Sequence, residues 1–226
     1  MTTTPTGVGT VVSRMRALGA ALPQGDGVAV FNRVYLSVTE ELERRLAAGA
    51  FADTATAGQL AVRFAGRYLT AVGDDAAGRR PPACWRALLR VRGHHDIRGL
   101  QFALAGINAH IGHDLALAVV DTCRVADCEP PALEGDFDRI GEVLTGMEVR
   151  VREELMPGPD PLERADPLTH LVGSWSLERA RDAAWAASRV LWSLRHLEGA
   201  YAECAERLDA GVALVGRFLL TPLGDR

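Results

Sequence analysis

Apolar residues recur at steps of three and four along most of this chain, and the alternation of a half-buried strand is almost nowhere found. The pattern predicts a first helix over residues 7–22, ended by Pro23, and a second over 28–48, ended by Gly49. The second has an apolar face of Phe31, Val34, Val38, Leu42 and Leu46, while Glu41, Glu43, Arg44 and Arg45 turn to water. A third spans 54–72 with Leu60, Phe64, Tyr68 and Leu69, and a polar loop follows at 73–82. Pro81-Pro82 opens a short helix over 83–92, and His94-His95-Asp96 falls in the next loop, read as a solvated cluster. Further helices are expected over 98–123, over 136–155 with Asp136 as cap, and from Ser176 to about 208 or beyond, with an apolar segment at 212–220. The prolines between Met156 and Pro161, extended by Asp166-Pro167, make the clearest non-helical stretch. Connections are short and no repeat is visible. Residues 1–226 therefore read as one all-α domain, an orthogonal or up-down bundle around a buried central helix, with polar tails at 1–8 and 221–226.

The helix over 98–123 departs from the one-sided pattern. Leu100, Phe102, Leu104, Ile107, Ile111, Leu115, Leu117, Val119 and Val120 surround it, as in a helix at the centre of a bundle. Its polar residues must find partners, at about 1–3 kcal/mol for each that does not. With side chains about 100° apart, His110, His113, Asp114 and Asp121 share one side, and Gln101 and Asn108 lie nearly opposite. His110 and Asp114, at i and i+4, can reach one ion, with His113 beside them. Neutral imidazole and carboxylate suit a divalent zinc, iron or manganese. A second helix would complete the shell, and His170, His196, Asp136, Asp138, Asp182 and Glu41 are the available donors. The same three residues equally make a metal-free catalytic site, with Asp114 orienting a histidine that acts as general acid or base. They also make a buried hydrogen-bond network that only fixes helix register. The spacing leaves all three readings open.

Two further stripes belong with this helix. Asp182, Trp185, Arg189, Trp192 and His196 step by three and four along the last long helix, so all share one face. Tryptophans flanking an arginine can line a substrate pocket or pack a core around an Asp182–Arg189 pair. Asn32, Tyr35 and Thr39 form a polar line beside an apolar one, either buried and hydrogen-bonded or one wall of the pocket. Asn32, Tyr35, Asn108, Trp185, Arg189, Trp192 and His196 are thus the candidate substrate-binding residues.

Composition removes several function classes. The net charge of −4 gives no basic field for nucleic acid or an anionic membrane. All 25 positive charges are arginine, which excludes Schiff-base lysines and the P-loop lysine. Arginine without lysine also matches GC-rich bacterial genomes. No GxGxxG, Walker A or GxSxG motif occurs, so no nucleotide cofactor is expected. Cys84, Cys123, Cys128 and Cys204 have no zinc-knuckle or CxxC spacing and read as reduced thiols. The N-terminus lacks a basic and then apolar leader, and no uncharged run of 18 apolar residues occurs, so a cytoplasmic protein is expected.

Phe31-Asn32-x-x-Tyr35-x-x-x-Thr39, followed by Asn108-Ala-His110-Ile-x-His113-Asp114-Leu115, resembles a family of bacterial helical proteins of unknown function over about residues 25–205. The central motif of that family reads Asn-Ala-His-Ile-Asn-His-Asp-Leu. Gly112 replaces the second asparagine, so any role of that amide is missing here. The resemblance implies a helical fold and no particular activity. His110-x-x-x-Asp114 is also similar to one ligand pair of the helical zinc phospholipase C and nuclease fold. Those enzymes further need HxxxE, which is absent, and a ligating N-terminal residue, which Met1 does not offer. The expectation is therefore an enzyme for a small molecule, of hydrolase, lyase or cyclase type. The alternative is a non-catalytic ligand-binding or interaction protein, monomeric or a homodimer, with a structural His/Asp network.

Overall fold

The computed structural model describes residues 6–155 and 176–222, with the backbone alone for 6 and 146–155. Every regular element among them is helical. In chain order the α-helices are α1 Thr6–Ala21, α2 Gly27–Ala47, α3 Thr54–Ala76, α4 Ala83–Leu89, α5 Gly99–Ala109, α6 Leu115–Ala126, α7 Glu134–Leu155, α8 Leu177–Ser193 and α9 Glu198–Leu219, with a 3-10 turn at Pro130–Leu133 before α7. The fold is all-α, as the periodicity predicts. Local chemistry sets several starts. Asp26 caps α2 through the N–H groups of Val28 and Ala29, at 2.8 and 3.4 Å. Asp53 caps α3 through those of Ala55 and Thr56, at 3.0 and 3.1 Å.

Several boundaries differ from the expectation: α4 ends at Leu89 rather than 92, and the central helix runs on to Ala126. α1 starts at Thr6 and buries Val8, so the N-terminal tail is shorter than 1–8. α3 continues through Gly73 to Ala76 before the chain turns. α7 starts at Glu134, which puts Asp136 inside its first turn rather than at the cap. The Asp136 carboxylate instead accepts from the N–H groups of Ala52 and Asp53, at 2.8 and 2.9 Å, and ties α7 to the entry of α3. The last helix is two, broken at 194–197, and the apolar segment at 212–220 continues α9. Neither glycine nor proline marks that break. It comes from packing, since α8 lies on α6 while α9 lies on α4 and α5. The proline-rich stretch around Met156 to Pro161 and Asp166-Pro167 lies outside the described residues, as does His170.

α5 and α6 form the centre. α5 packs against α2 and α9, α6 against α3 and α8, and α1 covers α2 and α3. Close approach needs glycine at one crossing: a Cβ on Gly106 would lie 2.4 Å from the ring of Phe31. By length and composition, Gly99–Ala126 could cross a membrane, yet 89% of its most apolar window is buried inside the bundle. That is the surface a core helix presents to its neighbours.

Candidate functional site

Between α5 and α6 the central helix does not break but widens. His110–Asp114 is a π-turn, closed by the Leu115 N–H donating to the His110 carbonyl. Such turns hold one extra residue and often occur at functional sites. Sequence neighbours on an α-helix do not face each other. In the wide turn they do: Asp114 accepts from Nδ1 of His113 at 2.8 Å and from Nδ1 of His110 at 3.0 Å. Trp85 Nε1 is a third donor, at 2.8 Å. Burial acts to raise the Asp114 carboxyl, but the two imidazoles outweigh it and hold it below the ordinary carboxylate range. An ionised carboxylate only accepts, so Nδ1 of both rings carries the proton. In the neutral ring Nε2 is then a lone pair.

The two Nε2 atoms meet different surroundings. His110 stacks on Phe64 at 3.6 Å, with Tyr35 at 4.3, Phe31 at 5.8, Trp85 at 6.0 and Tyr68 at 6.2 Å between ring centres. Inside this aromatic cage burial lowers its pKa and favours the neutral ring. Its Nε2 is buried and has no hydrogen-bond partner among the described residues. His113 lies with Cys84 and Asp209, one ligand atom of each within 4.8 Å of the others. The Asp209 carboxylate accepts from the N–H groups of Ala83 and Cys84, at 2.7 and 2.8 Å, which fixes it against the first turn of α4. Burial, then Asp114 and Asp209, push the Cys84 thiol well above its ordinary value. A thiol so placed is a poor free nucleophile, yet thiolate, imidazole and carboxylate together suit a zinc-type ion.

The structure therefore gathers His110, His113 and Asp114, but they are turned on one another. The remaining predicted residues divide into two groups. Asn32 is buried, donating to the Met15 carbonyl at 2.9 Å and accepting from Tyr68 at 3.2 Å. Tyr35 is part of the His110 cage, and burial raises its phenol. Asn108 donates to the Val212 carbonyl at 3.0 Å. Trp185 and Trp192 are half-buried, Trp185 against Phe137 and Trp192 under Arg195. Arg189, His196 and Asp182 are exposed. α8 does lie against the wide turn, but it buries Ala184, Ser188 and Leu191, one position round from the tryptophan stripe. Among the other donors considered, Glu41 pairs with Arg45 and Arg44, and Asp138 lies 3.6 Å from Arg181. His94, His95 and Asp96 are close together and exposed. Sequence reasoning missed Cys84 and Asp209, which no local spacing connects to His113.

A cavity of about 430 Å³ opens beside the wide turn, between α1, α3 and α6. Arg14, Arg63, Arg67 and Asp121 line it, and Asp114 and Pro82 form part of its wall. Asp114 follows His113 in the chain, and Pro82 stands two residues before Cys84.

The chain belongs to a family of unknown function, DUF5995, which matches residues 8–222. This agrees with the uncharacterised helical family that the motif residues resemble, and it extends the likeness beyond 25–205 to both ends of the bundle. No curated protein and no solved structure matches the chain.

Proposed function

We propose that this protein is a metal-assisted enzyme for a small molecule, of hydrolase or lyase type, whose divalent ion is held by Cys84, His113 and Asp209. One observation carries the reading. His113 gives Nδ1 to a buried carboxylate while a thiol and a second carboxylate gather at the same imidazole. Metal-binding histidines generally pass their other N–H to a carboxylate, which fixes the ring and raises its basicity. Three such ligands leave a position open, as in catalytic zinc sites. Two anionic ligands also offset the charge of a buried ion. The Cys84 thiol would lose its proton on binding, so affinity should rise with pH. The ion would supply Lewis acidity and activate water. On this reading Asp114 orients rather than ligates, and the ion moves from the His110/Asp114 pair to His113.

A structural role for the network is favoured by a separate observation, the enclosure of His110 among five aromatic rings. Under that reading the chain is a ligand-binding or interaction protein. Elemental analysis decides between the two, on protein purified without an affinity tag, reconstituted with zinc and dialysed against a weak chelator. We expect about one equivalent of metal in the wild type and in His110→Phe. Cys84→Ser and His113→Asn should lose it while keeping their far-ultraviolet circular dichroism. A metal-free wild type, or metal retained in both ligand variants, would overturn the proposal.

A further inference from the structure

The groove beside the wide turn is walled by cations whose acidic neighbours are already engaged. We propose that it binds a small oxoanion, a phosphate monoester or a dicarboxylate, as the anionic part of the substrate. Calling the anion a substrate rests on the metal-assisted reading above; its binding does not.

Arg63 and Arg67 are one turn apart on α3, and Arg14 faces them from α1. The Nε atoms of Arg63 and Arg67 are buried and have no hydrogen-bond partner among the described residues. Among the described residues neither Arg63 nor Arg14 makes an ion pair. The acids of the wall do not answer this charge. Asp121 takes Arg67 at 2.5 Å and faces Arg124 at 3.8 Å. Asp74 takes Arg79 at 2.6 Å, and Asp114 is filled by His110, His113 and Trp85. Among the described residues, half-buried Arg63 and exposed Arg14 are left without an ion-pair partner. A guanidinium donor removed from water without an acceptor is costly, and a planar fork of N–H groups matches carboxylate and phosphate oxygens. Arg63, with Arg14 exposed at the rim, offers such a fork to an oxoanion.

Gly66 supports the same conclusion by a different route. It sits in the middle of α3 on the groove wall, where glycine costs the helix about 1 kcal/mol relative to alanine. Nothing lies within 4 Å of the Cβ it lacks, so no packing contact demands glycine there. Its effect is to keep the groove open. A volume of about 430 Å³ is that of a metabolite-sized ligand site. On its wall, Asp114 is the chain neighbour of His113, and Pro82 stands two residues before Cys84.

Calorimetric titration with inorganic phosphate and with succinate, in Tris chloride at constant ionic strength and with chelator present, tests the proposal. The proteins compared are the wild type, Arg63→Gln, Gly66→Leu and Cys84→Ser. The wild type should bind at least one probe saturably, and the tighter one identifies the phosphate or the dicarboxylate source. Arg63→Gln should weaken binding about tenfold or more. Gly66→Leu should do the same by filling the groove, with α3 intact and every charge retained. Cys84→Ser should bind the anion as the wild type does, which separates the groove from the metal site. Anion binding by a protein that takes up no metal would remove the substrate assignment and leave the groove standing. Heats no larger than those of added chloride, or unchanged binding in both Arg63→Gln and Gly66→Leu, would overturn it.

Discussion

Asp114 accepts hydrogen bonds from two imidazoles and an indole while only 1% exposed. Asparagine at this position keeps one accepting oxygen and turns an N–H group toward donors. At least one buried donor is then stranded, so Asp114→Asn should lose about 1–3 kcal/mol in urea denaturation. Asp136 offers a test against pH. Burial acts to raise its carboxyl, but the N–H groups of Asp53 and Ala52, with Arg139, win and hold it below the ordinary value of 3.8. A folded-state value below the unfolded one means stability present above about pH 4 and lost as pH falls through the folded value. Thermal denaturation of Asp136→Asn should show a deficit at pH 7 and a shallower loss than the wild type as pH falls below about 4. The His110–Asp114 contact was legible because i and i+4 meet on any helix. Cys84 and Asp209 were not, since they stand 29 residues before and 96 residues after His113, and only the packed bundle brings them there.

Helices and their faces were mostly readable, because amphipathic spacing and aspartate caps are local signals. What failed depended on neighbours. On α8 the tryptophan stripe looked like the inward face. Ala184 and Ser188 are inside instead, because small residues let α8 lie close on α6, while the larger rings cover the margins. Glycines show the same competition between local and tertiary terms. Helix propensity alone favours alanine at both Gly106 and Gly73. A Cβ on Gly106 would press into the ring of Phe31, so Gly106→Ala should cost about 1–3 kcal/mol. Gly73 is exposed, with nothing within 4 Å of its missing Cβ, so Gly73→Ala should stabilise by about 0.5–1 kcal/mol. Opposite shifts in melting temperature would check the pair in one experiment.

At the scale of the molecule, the last helix closes the structure. Gln101 donates to the carbonyls of Leu219 and Thr221, both at 2.8 Å, and Asn108 to that of Val212. Asp209 holds the first turn of α4 in return. Removing residues 198–226 would leave two buried amides and the entry to α4 without partners, and would uncover α4 and α5. That truncation should abolish the cooperative thermal transition seen by circular dichroism. An all-α bundle with an apolar centre was evident from the pattern. The pairing of helices across its ends was not, because main-chain carbonyls leave no mark in sequence.

The wide turn also decides which face α6 presents to the bundle. Each residue advances an α-helix by about 100°, and the bond from the Leu115 N–H to the His110 carbonyl takes up one extra residue within a single turn. Were the same residues wound as unbroken α-helix, α6 would turn by about that angle: Val120 and Cys123, now buried, would take the outward positions of Asp121 and Arg124, and Asp121 the buried position of Thr122. Deleting Gly112 instead lets the turn close as ordinary α-helix with the faces of α6 kept. A side chain added at Gly112 has only to move Val212, whose nearest carbon would be 3.0 Å away. The widening thus lets the apolar pattern of α5 and that of α6, one residue out of step, share one buried axis.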